Sequence, residues 1–67
     1  MTNTKLLLEA IEASGYKREW LAKKINITRA ALLKKINNES EFKASEVSKL
    51  SQVLSLTTQE RDNIFLT

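Results

Sequence analysis

The sequence predicts an all-α fold, and three features lead to that prediction. It contains no proline and only one glycine, the two residue types that most disfavour helix interiors. Its hydrophobic content of 42% suffices for a small core. Apolar residues recur at helical spacing, without a repeat or low-complexity segment. We therefore expect one domain over residues 1–67. Its five helices are expected at about 4–14, 18–25, 29–37, 44–54 and 58–66.

The first helix should follow about three frayed residues and run from Thr4 to Ser14. Its buried side is expected to contain Leu7, Leu8 and Ile11. Gly15 follows as a residue that takes a positive φ without a Cβ clash. Tyr16 is then expected to pack over the start of the second helix, with a phosphate contact through its hydroxyl as the alternative.

The stretch from Arg18 to Asn37 predicts two short helices joined by a tight turn. The apolar stripe of the first helix contains Leu21, Ala22 and Ile25. Because Ala22 is small, it lets the two helices approach closely. Asn26 stands where a left-handed residue would end the first helix, and asparagine tolerates that conformation. Thr28 is a good N-cap, so the second helix should begin at Arg29.

The second helix of this pair carries cations on the side that its apolar residues leave free. Leu32 and Ile36 lie one turn apart and should face inward, with Leu33 on the flank. The residues expected outside are Arg29, Ala30, Lys34 and, at the edge, Lys35. A helix with arginine in its first turn and lysine in a later turn can enter the major groove of DNA, where these side chains donate to guanine O6 and N7.

Cap signals predict the two remaining helices. Phe42 and Val47 have the spacing of a hydrophobic staple around Lys43, and Glu46 can reach back to the cap N–H. The inner face of the fourth helix should contain Val47, Leu50 and Leu54. The last helix begins with a capping box formed by Thr57 and Glu60. It offers two apolar residues, Ile64 and Phe65, to the core or to a second subunit.

A family resemblance follows from these motifs. The helix pair, LAKKINITRAALLKKIN, resembles the helix-turn-helix of the Cro and phage-repressor family of small XRE-like regulators. The following segment, SEFKASEVSKLSQVLSL, is similar to the fourth helix of such proteins, so the resemblance covers nearly the whole chain. It implies a compact five-helix lambda-repressor-like domain whose helices 2 and 3 form the helix-turn-helix. In the family pattern, glycine stands where this chain has Asn26 and Asn38, and serine or threonine where it has Lys17 and Lys43.

The resemblance also assigns roles to particular residues. It implies base contacts from Arg29, Ala30 and Lys34. Arg18 and Thr28 correspond to common phosphate contacts, and residues 37–43 to a loop that touches the DNA backbone. The full set of phosphate contacts that we expect comprises Lys17, Arg18, Thr28, Lys35, Asn37, Asn38 and Lys43. The implied partners are double-stranded DNA and a second copy of the chain, bound together to a near-palindromic operator and acting as a repressor.

The charge distribution agrees with a polyanion ligand. Residues 17–35 hold seven cations and one acid, a net charge of +6, while the remaining residues hold four cations and seven acids, a net charge of −3. A basic face that is merely solvated is the alternative. Lys17 and Lys43 favour binding over this alternative. Serine or threonine at these two cap positions would stabilise each helix by about 1 kcal/mol, whereas lysine places an ammonium group near the phosphates that a DNA ligand would present.

Composition argues against several other functions. Without histidine or cysteine, the chain lacks the usual nucleophile activators, zinc ligands and disulfides, so we expect neither an enzyme nor a cofactor. The carboxylates have spacings that suit salt links, such as Glu19 with Lys23 and Glu46 with Lys49. No membrane span or secretory leader is visible, so we expect a cytoplasmic protein without a membrane or small-molecule partner.

Trp20 has two interpretations. It either packs under the C-terminal segment or contacts a protein partner, because tryptophan is a frequent interface anchor. The second interpretation belongs to an alternative function, an antitoxin-like or adaptor module built on a helix-turn-helix scaffold. Its candidate interface comprises Trp20, Ile64, Phe65 and Leu66. RNA binding is disfavoured, because the sequence predicts no exposed aromatic pair for base stacking.

Overall fold

Five α-helices and no β-strand make up residues 1–66, the part of the chain that the computed structural model describes. The helices are α1 (Thr4–Ser14), α2 (Arg18–Lys24), α3 (Arg29–Ile36), α4 (Ala44–Val53) and α5 (Thr58–Phe65). The all-α prediction is confirmed, and each predicted helix exists. Four of them end one residue earlier than expected, because the residue that follows serves as the C-cap.

The expectation that residues 1–3 are frayed is wrong. The side chain of Asn3 caps α1 by accepting from the Leu6 N–H at 3.1 Å, and its backbone N–H donates to the Ile64 carbonyl at 2.6 Å. Thr2 is buried, and its backbone N–H donates to Asn38 Oδ1 at 2.9 Å. The start of the chain is therefore tied both to α5 and to the loop after α3.

Each of the four connections between helices contains one residue with positive φ. Gly15 (φ 74°) and Asn26 (62°) match the prediction, Asn38 (64°) stands where the family pattern has glycine, and Ser55 (56°) does not follow from the sequence pattern. In the last three connections the next residue closes the same hydrogen bond, from its N–H to the carbonyl five residues back. These bonds are Ile27 to Ala22 (3.0 Å), Glu39 to Lys34 (2.8 Å) and Leu56 to Ser51 (2.9 Å). This is the Schellman pattern, which satisfies carbonyls left free at a helix end.

All five helices contribute to one core. Its buried apolar residues are Leu7, Ile11, Leu21, Ala22, Ile25, Leu32, Ile36, Leu50, Ile64 and Phe65. Three residues expected in the core, Leu8, Val47 and Leu54, are only partly buried. The radius of gyration is 10.4 Å, close to the value of about 11 Å expected for a compact chain of this length. None of the helices in residues 1–66 has the length and apolar character needed to cross a bilayer.

The placement of Lys35 corrects the sequence prediction. Expected at the outer edge of α3, it is buried, and its Nζ lies 2.7 Å from Glu46 Oε1 and donates to the Glu41 carbonyl at 3.2 Å. The same Oε1 accepts from the Lys43 N–H at 2.9 Å, which confirms the predicted cap at the start of α4. Glu46 thus pairs with Lys35 rather than with Lys49, because it faces α3 and not its own helix surface.

The pKa of Glu46 reflects this arrangement. Burial by itself would raise the pKa, but the hydrogen bonds from Lys35 and the Lys43 N–H, together with the Lys35 charge, outweigh it. The pKa therefore lies below its usual value of 4.5. A carboxylate with a lowered pKa stabilises the fold above its unfolded-state pKa and loses that contribution as the pH falls through the folded-state value.

We predict that Glu46→Gln lowers the free energy of unfolding by about 1–3 kcal/mol near neutral pH, because Lys35 loses a charged hydrogen-bond partner. The difference from wild type should begin to shrink as the pH falls below 4.5 and vanish once the pH has fallen through the lowered folded-state pKa, because Glu46 is then protonated in the wild-type protein too. Urea denaturation of both proteins, from neutral pH to below 4.5, measures this difference in the free energy of unfolding. The exposed Glu12→Gln is the control, and an equal loss in both variants would contradict a specific contribution from the Lys35–Glu46 pair.

A second prediction concerns the turn between α2 and α3. Asn26→Ala should lower the free energy of unfolding by about 1 kcal/mol, because a Cβ-bearing residue without a short amide disfavours positive φ. Asn26→Gly should not destabilise the protein. Asn37→Ala is the matched control, since Asn37 has a φ of −88°. Equal effects of the two alanine substitutions would show that backbone strain at Asn26 is not responsible.

Candidate nucleic-acid interface

The start of α3 is fixed by the turn that precedes it. Ala22 is 1% exposed, so α2 and α3 pack closely at this point, and the Ala22 carbonyl accepts the N–H of Ile27. Thr28 Oγ1 then accepts from the Ala31 N–H at 3.0 Å, as the N-cap prediction required. Helix α3 therefore begins at Arg29, and its first turn lies at the protein surface.

One side of α3 is free of packing. Ala30, Lys34 and Asn37 are all exposed, and their spacing of four and three residues places them on one helix face. The opposite side carries Leu32 and Ile36, both in the core. We call the exposed residues the outer face of α3. It offers a small apolar group, a cation and an amide at successive turns, and together these groups can donate, accept and make apolar contact.

Arg29 lies at one end of this helix and joins a second group of residues. It lines a surface depression of about 320 Å³ together with Lys17, Arg18 and Glu19 from the start of α2. Three cations and one carboxylate share the depression, so its net charge is positive. The structure thus brings Arg29, expected to contact bases, together with Lys17 and Arg18, expected to contact phosphates. The depression can accept an anionic oxygen from outside the protein.

Not all the predicted phosphate contacts remain accessible. Lys17, Thr28, Asn37 and Lys43 are exposed, and Arg18 is partly exposed. Lys35 is not available for the expected phosphate contact, because its ammonium group is paired with Glu46.

Asn38 is also turned inward. Its side chain binds the N–H and carbonyl of Thr2, each at 2.9 Å, and donates to Thr4 Oγ1 at 3.3 Å. A side chain with these internal partners cannot reach a phosphate without releasing the start of the chain.

The candidate protein interface changes as well. Ile64 is 3% and Phe65 9% exposed, so both belong to the core and are withdrawn from that interface, while Leu66 remains 74% exposed. Trp20 is 39% exposed, so it is not buried as packing under the C-terminal segment would require. Its ring stacks on Tyr16, with the centroids 4.5 Å apart, and Lys24 Nζ lies 5.1 Å from its ring centroid. The packing of Tyr16 over the start of α2 is confirmed, but the expectation that no aromatic pair is exposed is wrong.

The acidic residues form no metal site in the described chain. Across residues 1–66 no group of three or more aspartate or glutamate side chains has an arrangement that could hold a metal ion. The expected Glu19–Lys23 link does not form among residues 1–66. The cations of α2 are thus not neutralised by close pairing within 4.0 Å.

Comparison with known proteins identifies no relative: no family model matches the chain, and neither a curated protein nor a solved structure is significantly similar to it. A functional interpretation therefore depends on the residues and their arrangement. Three surface features could bind a ligand: the cationic depression, the outer face of α3, and the aromatic pair of Tyr16 and Trp20.

We predict that Lys17→Ser stabilises the protein by about 0.5–1 kcal/mol. Lys17 is the N-cap of α2 but forms no side-chain cap, and a serine hydroxyl there can accept a first-turn N–H. Thermal denaturation followed by far-ultraviolet circular dichroism measures the change. Thr28→Ala, which removes an existing cap, is the opposite control and should destabilise by about 1 kcal/mol. A loss of stability in Lys17→Ser would mean that the lysine stem contributes packing that outweighs the missing cap.

Proposed function

We propose that this chain binds double-stranded DNA sequence-specifically, with α2 and α3 acting as a helix-turn-helix of the Cro and phage-repressor type. The observation that carries the proposal is the position of Arg29. It belongs to α3, whose outer face is unobstructed, and it also lines the cationic depression at the start of α2. One helix end can therefore approach bases and phosphates together.

The outer face of α3, together with Arg29 at the start of the helix, suits direct recognition of bases. Arg29 and Lys34 can donate to guanine O6 and N7, and the methyl group of Ala30 can contact a thymine methyl. Because Ala30 is small, the helix axis can come close to the base edges. Asn37, on the same face one turn after Lys34, adds an amide that can donate and accept.

Phosphate contacts would set the orientation and most of the affinity. Lys17 and Arg18 lie beside Arg29, and Lys43 is exposed at the N-cap of α4. Neither N-cap lysine makes a side-chain cap, and both residues are exposed, so their ammonium groups are accessible to a phosphate. Each phosphate neutralised by such a group releases a counterion, which makes binding weaken steeply with salt.

A homodimer fits the dimensions of the protein. Its extents are 26 × 24 × 20 Å, so two copies side by side can place their α3 helices about 34 Å apart, one turn of the duplex. Such a dimer would bind a near-palindromic operator and block access of RNA polymerase, which makes repression the expected outcome.

Selection of bound duplexes from a random pool tests this proposal. We expect enriched sequences with two related half-sites about one helical turn apart. We also expect affinity to fall steeply between about 50 and 200 mM salt. A pool without enrichment, or binding that is insensitive to salt, would contradict the proposal.

On the selected duplex, Arg29→Ala should weaken binding by about 1–3 kcal/mol and relax the preference at one base pair. Fluorescence anisotropy with duplexes substituted at each position measures both effects. Lys49→Ala removes an exposed cation on α4 and is the matched control, expected to change binding by less than about 0.5 kcal/mol. An unchanged sequence preference in Arg29→Ala would exclude Arg29 from base recognition.

Exposure of Trp20 supports a second candidate, a protein-interaction module that binds a partner through α2. The surface available for it is smaller than the sequence suggested, since Ile64 and Phe65 are buried. Retention on duplex DNA at low salt, competed by heparin, favours the first function. Failure to bind DNA, combined with a shift of Trp20 emission in a cell extract, favours the second.

A further inference from the structure

Two of the four aromatic residues lie together at the protein surface. Tyr16 is 44% and Trp20 39% exposed, and their ring planes are inclined by 32°. The other two, Phe42 and Phe65, meet edge to face at 5.4 Å, and Phe65 belongs to the core. Lys24, one turn after Trp20, places its Nζ 5.1 Å from the Trp20 ring centroid. We call Tyr16, Trp20 and Lys24 the aromatic ridge.

The surroundings of the aromatic ridge are cationic. Lys17 and Arg18 lie between Tyr16 and Trp20 in sequence and line the depression with Arg29, while Lys23 is exposed on the same helix. Glu19 is the acid within this stretch. A ligand that combines flat apolar groups with negative charge is complementary to such a surface. Single-stranded nucleic acid has this chemistry, because its bases expose their ring faces and its backbone carries a phosphate at every nucleotide.

We propose that the aromatic ridge is a stacking site for unpaired bases of single-stranded nucleic acid, with Lys17, Arg18 and Lys24 contacting the adjacent phosphates. In a duplex the base faces are covered by neighbouring base pairs, so they are not available to Tyr16 or Trp20. The site is therefore distinct from a major-groove contact by α3, and it does not depend on the proposed duplex function. Pre-stacking of the two rings holds them in place before a base is added.

The experiment measures fluorescence anisotropy of labelled oligothymidylate and oligouridylate, each of about 12 nucleotides, a length within the range that single-strand-binding folds cover. Trp20→Leu removes the ring but keeps an apolar side chain, Trp20→Phe keeps a ring, and Lys49→Ala is the control for loss of an exposed cation on α4. Trp20 is the only tryptophan of the chain, so quenching of its emission in the wild-type protein reports stacking directly.

We expect the oligonucleotide to quench Trp20 emission and Trp20→Leu to weaken its binding by about 5- to 150-fold, the range for loss of one stacked base. Trp20→Phe should retain most of the affinity, and Lys49→Ala should stay within about twofold of wild type. Comparison of the two oligonucleotides separates DNA from RNA as the preferred strand. Duplex binding by Trp20→Leu should also stay within about twofold.

Three outcomes would overturn this assignment. The first is unchanged single-strand affinity in Trp20→Leu. The second is an equal loss of single-strand and duplex affinity in a folded Trp20→Leu variant, which would show that Trp20 supports a surface common to both ligands and is not a stacking site for unpaired bases. The third is quenching by a polyglutamate peptide but not by either oligonucleotide, which would assign the ridge to an acidic protein partner. If the wild-type protein binds the single-stranded oligonucleotides but no duplex, the proposed duplex function is refuted and the assignment of the aromatic ridge stands.

Discussion

The arrangement of the helices depends on turns that place one residue with positive φ between each pair. In three of the four, an N–H reaches back to the carbonyl five residues earlier, so the helix end and the direction of the next segment are set by the same bond. Asn26 occupies the turn that orients α3. The bond from the Ile27 N–H ends at the carbonyl of Ala22, which is itself buried, so this turn helps to set the direction in which α3 leaves α2.

The far end of α3 is held by a different kind of interaction. Lys35 crosses to Glu46 in α4, and that carboxylate also binds the backbone of Lys43. A single acceptor thus connects the last turn of α3, the loop before α4 and the first turn of α4. Lys34 and Lys35 are neighbours in sequence but have opposite roles, since one extends into solvent and the other is enclosed by the protein.

Local signals explain why so much of the fold could be predicted. Thr28 and Thr57 cap helices through bonds to residues three positions later, and Gly15 and Asn26 end helices by their own conformational preferences. The side-chain positions that the sequence did not predict depend mostly on partners that are far away in sequence. Asn38 turns inward because Thr2, 36 residues away, offers it two backbone groups. Trp20 is a different case, because its contacts with Tyr16 and Lys24 are local, and helical spacing alone does not indicate its 39% exposure.

The hydrogen bond between the Asn3 N–H and the Ile64 carbonyl joins residues near opposite ends of the described chain. Asn3 also caps α1, and Ile64 is one of the core residues of α5. The first and last helices are therefore held together by a backbone hydrogen bond in addition to their packing against each other. Opening of either α1 or α5 at this point would break a bond that constrains both helices, so the two ends of the described chain should loosen together.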